Sequence, residues 1–302
     1  MNKWTLLSVS AIVIAVTTTV QAHPTQIAFL NHVIAVVDSE TVSAVEQSSF
    51  LPGFIDYEKK TVTANGGVNW TGRYLRGKST YIELFGSGDV EGLKPGNVAL
   101  AFGSDRVGDI HRMARHLRRD GVSFSQDMRR RNFDGKEVDW FYSLGLDVES
   151  ADVSFWVMEY VAGYLDHPAA KKEAAEGPWD LVTRERYNSD AYRGKLVQDI
   201  TYVAFYVSKQ TIQEAMPLFL AAGYGVREAD GSTHLLGRDA EIVLFHAEEG
   251  KYGLAQLGFV LNRSLAEQYV ERIGNSVLNV GPDNKATWTF TVPEPSSETT
   301  GD

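Results

Sequence analysis

Asn31-His32-Val33-Ile34-Ala35-Val36-Val37-Asp38 is an apolar, β-branched run that ends on an acid, and Ser39 to Phe50 follows it with helical spacing. Branched side chains favour an extended backbone. A short oxygen side chain at Asp38 or Ser39 suits the free N–H groups that open a helix. Beyond the helix the chain turns extended three times, over Phe54 to Thr63, Trp70 to Arg76 and Ser79 to Phe85. The unit is therefore βαβββ.

The same order recurs along the chain. A second unit opens at Asn97-Val98-Ala99-Leu100-Ala101-Phe102, and Ile110, Met113, Ala114 and Leu117 then fall at i, i+3, i+4 and i+7. That spacing predicts an amphipathic helix, with Asp109 as its cap and Gly121 as its stop. A third opens at Ile200 to Val207, and its helix carries Ile212, Ala215, Phe219 and Leu220 and ends at Gly223, with Pro217 placed to kink it. A fourth opens at Leu257 to Leu261, with a helix expected through Leu265, Tyr269 and Ile273 to Gly274. Four copies of one pattern predict an α+β protein of tandem βαβββ modules, grouped as two domains. The boundaries read as 24–162 and 198–292, with a partly helical connection at 163–197 and a disordered polar tail at 293–302.

Residues 1–22 read as a signal peptide: Lys3 is the lone charge, Thr5 to Val16 is apolar, and Val20-Gln21-Ala22 suits cleavage. The expectation is a periplasmic or secreted protein with no membrane attachment after cleavage. The 302 residues hold no cysteine, so nothing but the core holds the fold together. A formal charge of −10 argues against a nucleic-acid surface. No nucleophile elbow, phosphate loop or Ser-His-Asp arrangement is visible.

Within Ser79-Thr80-Tyr81-Ile82-Glu83-Leu84-Phe85, alternation puts Tyr81, Glu83 and Phe85 on one face of a strand. A carboxylate among such neighbours must be paired, hydrogen-bonded or bound to a cation, because bare burial costs several kcal/mol. Arg73 and Arg76 on the preceding strand are available partners, on opposite faces from one another. Aromatic residues crowd the strands of the first domain, Tyr74, Tyr81, Trp140 and Tyr142 among them. Such rings suit either a core or the apolar wall of a small-ligand site.

The repeated unit resembles the vicinal oxygen chelate superfamily, which includes glyoxalase I, bleomycin-resistance proteins and extradiol dioxygenases. It is most similar to an uncharacterised glyoxalase-like branch. The resemblance implies two cupped sheets, each built from a pair of modules, with ligand or metal inside the cup. It implies metal ligands at the start of a unit's first strand and within its last strand. His32 and Glu83 match those places in the first unit, and Glu159, in Trp156-Val157-Met158-Glu159-Tyr160, matches the last strand of the second. Asn97 stands where a second histidine is often found. Tyr202, Gln256 and Val243 occupy the corresponding places in the third and fourth units, which implies no metal there.

Two functions follow. In one, a divalent ion (Fe, Mn, Ni or Zn) held by His32, Glu83 and Glu159 acts as Lewis acid in a lyase, isomerase or oxygenase. Glu83 or Glu159 then serves as the base, and Tyr81, Asn97, Arg73 and Tyr142 contact the substrate. In the other, a metal-free protein sequesters a small molecule, as bleomycin-resistance members do. Both require a small-molecule ligand, and neither fixes the oligomeric state.

Overall fold

The computed structural model describes residues 25–63, 69–147, 153–168, 178, 180–247 and 251–292. The expected signal peptide and tail lie outside these residues. The first module comprises β1 (Ala28–Val36), α1 (Ser39–Gln47), α2 (Leu51–Phe54), β2 (Asp56–Thr63), β3 (Asn69–Arg76) and β4 (Tyr81–Phe85). The second comprises β5 (Val98–Ser104), α3 (Asp109–Arg119), β6 (Phe124–Phe133), β7 (Lys136–Leu146) and β8 (Val153–Tyr160). The short α4 (Ala162–Leu165) and two 3-10 turns at Arg184–Arg186 and Asp190–Gly194 follow. The third module runs β9 (Val197–Val207), α5 (Lys209–Ala222), β10 (Gly225–Ala229), β11 (Ser232–Leu236) and β12 (Glu241–His246). The last is β13 (Gly253–Leu261), β14 (Tyr269–Ile273), β15 (Ser276–Val280) and β16 (Lys285–Phe290).

These strands form two eight-stranded sheets of the same design, ordered β2-β3-β4-β1-β5-β8-β7-β6 and β10-β11-β12-β9-β13-β16-β15-β14. Within each complete module the first strand pairs parallel to the last, as β1 does with β4 and β5 with β8. The two modules of a sheet join through their antiparallel first strands, β1 with β5 and β9 with β13. The result is an α+β fold of two glyoxalase-like domains.

The helices start and stop as local chemistry dictates. Asp38 caps α1, accepting from the backbone N–H of Thr41 at 2.9 Å and from its hydroxyl at 2.7 Å. Ser208 caps α5 through the N–H of Thr211. Gly223 ends α5 at φ 92°, and a Cβ there would lie 2.6 Å from Gln26 Cα. Glycine is thus required twice over, for the left-handed turn and for the close approach. Pro217 sits inside α5, which continues to Ala222.

The fourth module departs from the sequence expectation. Tyr269 to Ile273 is the strand β14, and Gly274, at φ 58°, turns the chain into β15. The spacing of Leu265, Tyr269 and Ile273 is four residues each time, an even number that places side chains on one face of a strand as well as of a helix. The hairpin turn lies against the start of α1, where Asn275 Nδ2 donates to Asp38 Oδ1 at 3.1 Å.

The helix-bearing faces of the two sheets are turned toward each other and share one core. Phe102 and Phe155 of the first sheet meet Phe219 of α5 edge-on, at 5.8 and 5.1 Å between ring centroids, and Phe54 meets Phe259 at 5.4 Å. Asp199 of β9 ties the domains together at the strand ends. It accepts from the backbone N–H groups of Ser79 and Thr80 at 3.1 and 3.0 Å, and from both their hydroxyls. With the helices inside, the opposite face of each sheet is left as an outward cup.

Candidate functional site

Strand alternation assigns each side chain of the first sheet to the core or to the cup. On β4, Ile82 and Leu84 enter the shared core, so Tyr81 and Glu83 face the cup. On β3, Leu75 enters the core with Arg73 on the same side, so Trp70, Tyr74 and Arg76 face the cup. Two bulges reset the alternation. One lies in β1 between Leu30 and His32, so Leu30 packs in the core while His32 reaches the cup side. The other lies in β7, where Arg129 pairs with Phe141 and Arg130 with Asp139, leaving Trp140 as the extra residue. An extra residue shifts every later side chain to the other face.

The cup encloses a cavity of about 650 Å³. Trp70, Tyr74 and Tyr81 form one wall, and Trp140, Tyr160 and Tyr187 another. Lys60 and Val62 come from β2 and Arg130, Arg131 and Asn132 from β6. Because β2 and β6 are the two edges of the sheet, their presence in one cavity means that the sheet is rolled. Tyr187 and Asn188 belong to the inter-domain connection. Tyr187 stacks on Tyr160 at 3.8 Å and takes a 2.5 Å hydrogen bond from Asn31 Nδ2.

His32 lies against the floor of this cup. Its ring stacks on Tyr81 at 4.5 Å and meets Trp156 edge-on at 5.3 Å. Nδ1 is 2.6 Å from Asn31 Oδ1. Since the Asn31 amide nitrogen faces Tyr187, the proton of neutral His32 belongs on Nδ1. Burial pushes the His32 pKa down to about 3, so the ring is neutral at any physiological pH. Glu83 behaves in the opposite sense. Burial raises its carboxyl to about 7, against the pull of the Arg76 guanidinium and the Tyr81 hydroxyl. Burial, assisted by Glu83, likewise pushes Tyr74 up to about 12.

Glu159 is elsewhere. It alternates with Val153, Phe155 and Val157, which are core residues, and so points to the helix face. There it accepts from Ser104 Oγ at 2.7 Å and from the backbone N–H groups of Gly108 and Ile110 at 2.7 and 2.9 Å. It is the anion that closes the N-terminus of α3. Gly108, at φ 90°, is the capping position and has no side chain to do this, while Asp109 lies inside the helix and pairs with Arg112. The sequence around Glu159 is apolar on both faces, which hid its direction.

The remaining sequence-assigned residues divide similarly. Arg73 is buried on the helix side, donating to Glu46 at 2.8 Å and to Asp89, and therefore contacts nothing in the cup. Tyr142, shifted by the bulge at Trp140, packs on the core and meets His111 of α3 at 5.0 Å. Asn97 closes the turn into β5, accepting from the Lys94 N–H at 2.9 Å. Of the residues proposed for substrate contact, Tyr81 alone lines the cavity. Lys60, Arg131, Tyr187 and Asn188 had no periodic signal in the sequence, because edge-strand charges and an irregular connection carry none.

The proposed metal set thus does not assemble. His32 and Glu83 lie on the cup side of the sheet, but Glu159 is behind it, and no group of three His, Asp or Glu side chains able to hold an ion occurs among the described residues. The residues present do not fit a Fe, Mn, Ni or Zn centre of the kind the resemblance implied. In the second domain, Tyr202, Tyr206 and Phe245 pack over Ala204, Val243 and Val292. His234 there is held by Glu241 at 2.8 Å, and His246 Nε2 lies 3.2 Å from the Thr233 hydroxyl.

This architecture, paired βαβββ modules rolled about a cup, is the vicinal oxygen chelate fold. Over residues 30–290 the chain belongs to the family described as a family of unknown function, DUF5829. No curated protein matches its sequence. Among solved structures it is similar to a hypothetical protein from Staphylococcus aureus, with a TM-score of 0.51 and 13% identity over 84% of this chain and 98% of that one. It is also similar to the 2,3-dioxygenase LapB from Pseudomonas sp. KL28, at 0.48 and 12% over 91% and 96%. The Mn(II)-bound glyoxalase from Novosphingobium aromaticivorans matches at 0.40 and 8% over 88% and 80%.

Proposed function

We propose that this chain is a glyoxalase-like binding protein that holds a small planar molecule in the first cup without a metal ion. One observation carries the reading: a cavity of about 650 Å³ walled by aromatic rings, with Glu83 in its lining and, among the described residues, no group of three side chains able to hold a metal ion. Its volume is within the range of small-molecule pockets in general. The test is a thermal-shift screen of planar compounds in the presence of chelator. A ligand at one hundred times its Kd stabilises the fold by about 2.7 kcal/mol. Stabilisation by micromolar divalent ions, abolished by chelator, would refute the metal-free reading.

A second reading is favoured by the half-neutral state of Glu83 at pH 7. A carboxyl with that pKa, in contact with a bound molecule, is suited to move a proton as a general acid or base. Under this reading Glu83→Gln removes turnover of a carbonyl compound while leaving its affinity nearly unchanged. The cellular setting we propose is the periplasm or the exterior, after cleavage at Ala22. Intact mass of protein from a periplasmic fraction checks it, and a mature mass that retains Lys3 would count against it.

A further inference from the structure

Charge in the first cup is distributed unlike charge in the rest of the chain. The protein carries a formal −10, yet Lys60, Arg76, Arg130 and Arg131 all line this cavity, against the lone carboxylate of Glu83. Two of the four cations are already neutralised: Arg76 by Glu58 at 2.5 Å and Arg130 by Asp139 at 2.8 Å. Lys60 and Arg131 have no carboxylate partner among the described residues. Arg131 is held in place, with its guanidinium 5.4 Å from the centre of the Trp140 ring and Nη1 donating to the Tyr164 hydroxyl at 3.1 Å.

A second, independent feature points the same way. Asn188 lines the cavity and is 6% exposed, and its Nδ2, closed off just behind the wall, finds no acceptor among the described residues. Buried donors in folded proteins are nearly always satisfied, so an idle one at a cavity wall is free to turn toward an acceptor that enters there. Unpaired cations with an idle amide donor are complementary to an anion, and a low-dielectric wall focuses their field.

Building on the binding reading above, we infer that the ligand of the first cup is a planar ring bearing an anionic group. The ring lies among the tyrosine and tryptophan side chains, and the carboxylate, sulfonate or phosphate is drawn to Lys60 and Arg131. These two residues stand on the opposite edge strands, β2 and β6, so one anion can be met from both sides of the rolled sheet. Asn188 from the connection supplies a neutral donor to the same ligand once its amide turns into the cavity.

The experiment compares two fluorescent probes with one skeleton, 1-anilinonaphthalene-8-sulfonate and its uncharged counterpart N-phenyl-1-naphthylamine. Binding is read by probe emission and by quenching of Trp70 and Trp140. The expected result is at least tenfold tighter binding of the sulfonate at one site per chain, weakening as salt is added. In the Lys60→Gln/Arg131→Gln double variant that advantage falls below twofold while the Kd of the neutral probe is unchanged. Lys60→Gln alone, at an exposed edge position, gives a partial loss and guards against misfolding of the double variant. Equal affinity for the two probes would overturn the anion inference and leave the binding reading standing. Failure of both probes to bind would overturn the binding reading itself.

Discussion

The carboxylate of Glu159 on β8 accepts the backbone N–H of Ile110 at 2.9 Å and so holds the first turn of α3 against the sheet. Helix N-termini leave several N–H groups without intrahelical partners, and the aligned peptide dipoles favour an anion there. Glu159→Ala leaves those donors and Ser104 unsatisfied in the core. We expect it to cost about 3 kcal/mol of stability, and Glu159→Gln to cost less, because an amide oxygen still accepts. Urea denaturation with and without divalent ions checks this; neither variant should change any response to metal.

The two titratable groups at the floor of the cup make stability depend on pH in opposite senses. The pKa of Glu83 rises from 4.5 to about 7 on folding, so between those values the unfolded chain loses a proton that the native state keeps. Stability contributed by its neutral form is complete below pH 4.5 and lost as pH rises toward 7, by about 3 kcal/mol in total. His32 falls from 6.5 to about 3, so the unfolded chain gains a proton that the native state refuses. Its effect is loss of stability as pH falls below 6.5. The two slopes oppose each other between pH 4.5 and 6.5. Denaturation midpoints should therefore be nearly flat there in the parent protein, rise with pH in Glu83→Gln and fall with pH in His32→Gln.

Arg73 and Arg76 lie three residues apart on one strand and have different tasks. Arg73→Met breaks a buried pairing with Glu46 and Asp89 and should cost about 2 kcal/mol, with probe binding in the cup unchanged. Arg76→Met removes the guanidinium that lowers the Glu83 pKa, and should move the titration of Glu83 upward. Carboxyl chemical shifts followed against pH distinguish the two variants. Equal effects of both on probe affinity would contradict the face assignment.

Asp199 is a polar tie between the domains, and Gly77 leaves it room to close: a Cβ at Gly77 would lie 2.7 Å from Asp199 Oδ1. Asp199→Ala should destabilise the chain by about 3 kcal/mol through the stranded Ser79 and Thr80 donors. Since those residues lead into β4, amide exchange at Tyr81 to Phe85 should accelerate as well. An unchanged exchange rate there would show that the tie does not restrain the floor of the cup.

The chain's own pattern determined the repeated unit. Branched strands, the Asp38 cap, the apolar stripe of α3 and the glycine after α5 act over a few residues, so they are written locally. They sufficed for an α+β fold of paired modules, and they placed Tyr81 and Glu83 together on one face of β4. Which side of the sheet a residue serves was decided only in three dimensions. Bulges at Asn31 and Trp140 reset the alternation, bringing His32 into the cup and turning Tyr142 away. Glu159 was claimed by an N-terminus of α3 that lies 50 residues earlier and has a glycine where a cap would be. The even spacing of Tyr269 and Ile273 suited helix and strand alike, and pairing with β15 chose the strand. The cavity itself is a product of tertiary structure: its edges meet because the sheet rolls, and Tyr187 and Asn188 reach it because an irregular connection crosses from one domain to the other. Periodicity records what neighbours along the chain require of each other, whereas a cup is made of contacts between residues that are neighbours only after folding.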